Sequence, residues 1–281
     1  SYIGLTRADF AANPYKRYAA SSLDKMDNDY HRYILTYNMD LSPSTNFVGK
    51  IYKSKYSRNW KKMGSITVDD DGSAGGDTTE IDLDDSGLDW TTNCAAGTTV
   101  GKRACNIITN GTAMITGESL KRAIGHRDYG MYGYDMKLNH VIGNHDITLG
   151  YRHHHDYRLR QDNGISETWT LGSNNTYTNV TIDRDAAAAQ ERKSAWADSI
   201  SIQDRITHGN FVTTLGVRYE DVDYDKIAKN TGTLTKFNNS ETMIAASTVY
   251  SMGAGKSMFA AYSQGYNPTG PSSVDPDESD N

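Results

Sequence analysis

Three adjacent imidazoles, His153-His154-His155, are the most conspicuous chemical feature of the chain. A metal site needs ligands that converge on one point, and consecutive side chains of a strand point to opposite faces. His154 should therefore face one way and His153 and His155 the other, so the three cannot share one ion. The two cysteines, Cys94 and Cys105, stand close together in TNCAAGTTVGKRACN, with no C-x-x-C spacing. Two readings compete: a local disulfide in an oxidising compartment, or a redox or metal pair, for which the neighbourhood lacks partners. The stretch from Asp69 to Asp89 carries many acids and no Lys or Arg. Within it, Asp82, Asp84 and Ser86 with Gly87 match the first half of a calcium loop. The bidentate Glu expected at the twelfth position is replaced by Asn93. A solvated loop is the competing reading, and no complete metal set is assigned.

No nucleophile elbow, zinc-protease helix, phosphate loop or dinucleotide fingerprint occurs, so the chain is not read as an enzyme and no cofactor is expected. The 281 residues carry 29 Lys+Arg against 35 Asp+Glu, a net charge of −6. That balance argues against nucleic acid as a partner, which would need a basic face. Hydrophobic residues make up only 37% of the chain, yet there are 19 tyrosines. Ordered β-structure displaying aromatic rings explains this composition, where disorder would not. No apolar run approaches the roughly 18 residues of a membrane-spanning helix.

Period-two alternation dominates. In 30–41, Tyr33, Leu35, Tyr37, Met39 and Leu41 alternate with Arg32, Thr36, Asn38 and Asp40, with Ile34 the exception. In 146–159, Ile147, Leu149 and Tyr151 oppose Thr148, Gly150 and Arg152. The same pattern marks 129–140 and 211–220, and less regularly 46–58, 192–206, 241–251 and 256–264. This predicts an all-β, antiparallel sheet of about eight strands with no long helix, the Ala186–Gln190 stretch being the best helical candidate. The links at 42–45, 141–145, 207–210 and 252–255 are short, and those at 59–128, 160–191 and 225–240 are long. Strict alternation of short and long links trims one end of a sheet and elaborates the other. Outer-membrane barrels have this arrangement, with strands of about 9–11 residues crossing the bilayer. A water-soluble sheet with one wet face shares the alternation but scatters its long loops.

The opening segment YIGLTRADFAANPYKRY, through Tyr2, Gly4, Leu5, Thr6, Asp9, Phe10, Asn13, Pro14, Tyr15, Arg17 and Tyr18, resembles TonB-dependent outer-membrane transporters of the ferric-citrate receptor branch. The later patches SISIQDRITHGNFVTTLGVRYEDVDYD and MFAAYSQGYNPTGP are similar to that family's hairpin and strand motifs, in the same order. The resemblance implies a contiguous piece of a transmembrane barrel of about 22 strands. Residues 1–281 would be part of the barrel domain, with 59–128 a long extracellular loop. The plug domain and the C-terminal strands are absent from that reading.

The resemblance further implies a receptor and transporter for a ferric chelate, ferric citrate or a siderophore. It would sit in the outer membrane of a Gram-negative cell, with lipid on its outer face, and be energised from the inner membrane through the TonB complex. An anionic chelate should meet cationic lumen residues, for which Arg7, Arg17, Arg152, His154 and Arg158 are the candidates. The competing readings are a small closed barrel acting as adhesin or structural protein, and a soluble secreted calcium-binding β-protein. Placed in an external loop of an oxidising envelope, Cys94 and Cys105 are expected to form a disulfide. Intact-mass analysis after alkylation without reductant should show no added label; two labels would refute the pairing.

Overall fold

Alternating residues form strands only when a neighbour accepts their backbone hydrogen bonds, and here consecutive hairpins supply those neighbours. The computed structural model describes residues 5–71, 73–83, 97–160, 165–184 and 190–266. Eight long strands make the main sheet: β1 (Lys25–Ser42), β2 (Thr45–Asp69), β4 (Ser119–Ile142), β5 (His145–Arg160), β8 (Glu191–His208), β9 (Phe211–Ala228), β10 (Leu234–Gly253) and β11 (Lys256–Ser263). Their spatial order is β1-β2-β4-β5-β8-β9-β10-β11, so every neighbour on this path follows in sequence once the short strands are skipped. Three short strands branch from it: β3 (Thr78–Asp82) on β2, β6 (Ile165–Leu171) on β4, and β7 (Tyr177–Arg184) on β6. Two helices, α1 (Arg7–Ala12) and α2 (Thr99–Asn110), complete the elements used below. Among the described residues β1 and β11 each have one neighbour, so the sheet is open.

The tight turns lie side by side. Ser44 O accepts from Val141 N at 2.8 Å, Asn144 O from Thr207 N at 2.9 Å, and Asn210 O from Ser251 N at 2.9 Å. Each bond joins one hairpin's turn to the next hairpin, so all four turns share one rim and the other links leave by the opposite strand ends. Gly143 and Gly209 open two of these turns at φ +61° and +56°, where a Cβ would be strained.

Three expectations need correction. The link at 225–240 is not long: β9 and β10 pair without a break from Phe211↔Tyr250 to Ile227↔Leu234. Beyond about ten residues from the turn the pattern on β9 inverts, with Val222 and Tyr224 buried on the inner face and Asp221, Asp223 and Asp225 on the outer one, so the lipid-facing apolar row stops while pairing continues. The segment 59–128 is not all loop: β2 runs on to Asp69, β4 begins at Ser119, and β3 and α2 lie between them. Helix α2 was hidden by its Thr and Gly content. Thr98 caps it by accepting from Gly101 N, and Gly111 ends it at φ +71°. Residues 186–189 lie outside the described residues.

The chain divides into two units. The first takes residues 1–29, 57–127 and 160–190 and owns a true apolar core. Ala104, Ile107 and Ile108 of α2, one face at helical spacing, pack with Met63, Ile66 and Val68 of β2, Ile81, Leu120 and Leu171. Beside that core Glu118 is fully buried and fully satisfied. Its oxygens accept from Arg103 Nε at 2.8 Å and from the Arg103 guanidinium end at 2.6 Å. They also accept from Ile115 N at 2.9 Å and Asp69 N at 3.3 Å. Burial raises the Glu118 pKa, but the Arg103 hydrogen bonds and the two backbone donors outweigh it and hold the carboxyl below its ordinary value. The second unit takes 30–56, 128–159 and 191–281 and is sheet alone. Its apolar rows are on display: Tyr33, Leu35, Tyr37 and Leu41 are all more than half exposed, as a lipid-facing row requires.

Removing the carboxylate leaves the Arg103 charge uncompensated, so Glu118→Gln should cost about 3 kcal/mol of stability. Because the folded pKa lies below the unfolded one, this contribution is complete above the ordinary carboxylate value near 4.5. It should fade as pH falls below that value. Thermal unfolding of wild type and Glu118→Gln should therefore converge in acid.

Candidate functional site

The site grows from the polar row of β5. Leu149 and Tyr151 stand exposed on its apolar face, which by alternation puts Arg152, His154, Asp156 and Arg158 on the other. Tyr52 on β2 reaches the same face, and its hydroxyl lies 2.7 Å from His154 Nδ1. Arg152 Nε donates to that hydroxyl at 3.3 Å, and the guanidinium end lies 3.4 Å from His154 Nδ1. A guanidinium only donates, so Nδ1 is the accepting nitrogen and the ring proton belongs on Nε2. Asp156 lies 3.6 Å from Nε2. Arg152, Tyr52, His154 and Asp156 thus form one chain of donors and acceptors.

Gly133 of β4 makes room for this chain. A Cβ there would lie 2.5 Å from the Tyr52 hydroxyl and 2.3 Å from the His153 carbonyl oxygen. Glycine is the residue that lets the Tyr52 ring cross β4 to reach His154. Nothing in the alternation of 129–140 distinguished Gly133 from the other polar-side positions.

The same face opens into a cavity of about 930 Å³ within the second unit. His154, Asp156 and Arg158 line it, with Tyr30, Ser54, Tyr56, Tyr129, Met131, Lys193, Glu220, Val222 and Tyr224. Its two cations, Arg158 and Lys193, share one carboxylate: Glu191 pairs with Arg158 and lies 3.6 Å from Lys193. Glu220 accepts from Arg218 Nε at 3.0 Å. At Lys193, well away from the turn rim, burial lowers the ammonium pKa despite Glu191. Sequence reasoning found the β5 residues and missed Tyr30, Tyr56 and Tyr129. They sit at strand positions beyond the regular apolar pattern.

His153 and His155 fall on the opposite, apolar face, as alternation requires. His153 stacks on Tyr134 with centroids 5.3 Å apart, and its Nδ1 lies 2.9 Å from Asp198. His155 is buried between Tyr132 and Trp196, at 4.7 and 4.6 Å. These rings form an aromatic belt about ten residues from the turn rim.

Arg7 and Arg17 belong to the first unit, and both side chains are exposed. Arg7 opens α1. Arg17 lines a separate 240 Å³ cavity with Lys16, Lys25 and Trp60. The residues of the opening motif around them tie a knot. Tyr18 hydroxyl donates to Asp9 at 2.7 Å and accepts from Thr6 N at 3.0 Å, and Lys16 reaches Asp9 at 2.6 Å. Lys16, Tyr18 and Thr6 together pull the Asp9 pKa down to about 2. Asp82 pairs opposite Ser65 on β2, while Asp84, Ser86 and Cys94 lie outside the described residues. Cys105 sits on α2, packed partly buried against the core. Among the described residues no group of three or more His, Cys, Asp or Glu side chains is placed to hold a metal ion.

An antiparallel sheet built wholly of hairpins, trimmed along one rim, with an apolar outer row and a polar row lining a cavity, defines a transmembrane β-barrel wall. No helix among the described residues is long and apolar enough to cross a membrane. The sequence matches the family described as TonB dependent receptor-like, beta-barrel over residues 3–277, and the chain belongs to that family. Its place is accordingly the Gram-negative outer membrane, in a family of transporters and not enzymes. No curated protein matches the sequence. Among solved structures it is similar to the ferric citrate transporter FecA in its unliganded form. The TM-score is 0.58 at 14% identity, over 92% of this chain and 30% of that one. It is also similar to the ferric-catecholate import receptor Fiu from E. coli K12 in its open form. There the TM-score is 0.56 at 11% identity, over 94% of this chain and 40% of that one. The chain thus spans less than half the length of either.

Gly133→Ala should lower the thermal midpoint of the receptor more than Gly130→Ala. The Gly133 methyl meets a backbone oxygen, whereas at Gly130 it meets only the Tyr157 ring, at 2.5 Å. Parallel melting curves of the two variants in detergent check this order.

Proposed function

We propose that this chain is part of the barrel wall of a receptor that takes up a ferric chelate, energised through the TonB complex. The observation that carries the reading is the cavity-lining polar row of β5 within a barrel of this family. Arg152, on the same face of β5, is held by Tyr52 and His154 and so can offer its remaining guanidinium hydrogens to the oxygen atoms of a chelate. Arg158 lines the cavity itself, but Glu191 already pairs with it. Arg7 and Arg17, whose neighbours serve the knot around Asp9, are the less favoured contacts. Ferric citrate and siderophores are both candidate cargoes. Cys94 and Cys105 fit the role of a disulfide staple in the segment beyond the membrane.

Uptake of radiolabelled iron chelate by cells carrying the full-length receptor tests the reading. Arg152→Ala should reduce uptake roughly ten- to a hundredfold, corresponding to loss of a charged hydrogen bond of roughly 1.5–3 kcal/mol. Arg152→Lys should restore it only in part, and Arg158→Ala should have the smaller effect. Uptake should vanish in a strain lacking TonB. Wild-type uptake by Arg152→Ala, or uptake independent of TonB, would reject the assignment.

A further inference from the structure

We propose that the cavity selects a ferric chelate whose iron is held by aromatic ligands and whose net charge is small, in preference to an aliphatic polyanion such as ferric citrate. This rests on the uptake reading above and narrows its cargo. The walls supply the first argument. Tyr30, Tyr56 and Tyr129, from three different strands, form a ladder: Tyr30 meets Tyr56 edge-on with centroids 6.1 Å apart, and Tyr56 lies 5.8 Å from Tyr129. These separations are those of favourable aromatic pairs, and a ladder half open to the cavity can extend by one more ring. Tyr30 is 51% exposed, so its ring is available for that contact.

Charge supplies the second. A carboxylate-rich chelate must lose its hydration on entering, and only unmatched cations would compensate. Here Arg158 and Lys193 already face Glu191, and Glu220 already holds Arg218. Asp156 adds a further carboxylate to the lining. The lining sets two cations, Arg158 and Lys193, against two carboxylates, Asp156 and Glu220, so it holds no excess positive charge for a polyanion, whereas a low-charge aromatic chelate would meet rings and lose little hydration. Size is compatible, since about 930 Å³ lies within the usual range for small-ligand cavities.

Four iron(III) complexes separate ring from charge: neutral tris-tropolonate, anionic catecholate, neutral tris-acetohydroxamate and anionic citrate. Binding is read by quenching of the intrinsic fluorescence of the purified full-length receptor in detergent. The tropolonate should bind at least about tenfold tighter than the acetohydroxamate, and citrate should bind most weakly. Tyr56→Leu, which keeps bulk without a ring, should abolish the preference for tropolonate, and Tyr56→Phe should retain it. Tightest binding of citrate, equal binding of the two neutral complexes, or an unchanged preference in Tyr56→Leu would each overturn the proposal and leave the uptake reading standing. Binding of none of the four would overturn both.

Discussion

Every backbone N–H and C=O inside a bilayer must find a protein partner, because an unpaired group there costs several kcal/mol. Consecutive hairpins meet that demand with the least chain, and the sheet order of this protein is hairpins throughout. The constraint extends to the turn rim, where carbonyls of three turns accept from the neighbouring hairpins. Once the backbone is fixed in this way, alternation is no longer a choice. One row must face lipid and the other must face the interior. The exposed Tyr33, Leu35, Leu149 and Tyr151 and the polar Arg152 and His154 are two consequences of one arrangement.

Away from the membrane the source of stability changes. The first unit buries Ile66, Val68, Ile107, Leu120 and Leu171 around α2 in the manner of a water-soluble domain, and seats a buried Arg103–Glu118 pair beside them. The second unit has no comparable core. It is held by strand pairing, by aromatic contacts such as Phe211 on Tyr250 at 4.6 Å, and by lipid on its apolar row. A core substitution should thus act on the first unit as it would in any soluble protein. In the second, the sensitive positions are close backbone approaches such as Gly133.

The opening motif illustrates how a family signature can be structural. Thr6, Asp9 and Tyr18 are recognisable in the sequence, and a signature invites a ligand-binding role. Their polar atoms bond instead to one another, with Asn13 Oδ1 accepting from Tyr15 N just after the helix they cap. The spacing is set by one short helix and the return of the chain to Tyr18. The arginines between them are left on the surface.

The eight long strands, the order of their hairpins, the turn positions and the facing of β5 were all legible in the sequence, because each depends on a local period or on a turn residue such as Gly143 or Gly209, whereas the short strands β3, β6 and β7 were not foreseen. The separation of His154 from His153 and His155 follows from the same period. The family was legible too, since its motifs lie in linear order. Strand ends were not: β9 and β10 run on to Ala228 and Leu234 after the outward apolar row has ended, and pairing there depends on register with a partner strand. Helix α2 was equally hidden, because its Thr and Gly content is tolerated only through caps and burial. The cavity was the least legible of all. Tyr30, Tyr56 and Tyr129 lie on strands far apart in sequence, and the matching of Arg158 and Lys193 by Glu191 joins β5 to β8. Such convergence depends on how strands line up across the sheet, a long-range relation that no local pattern encodes.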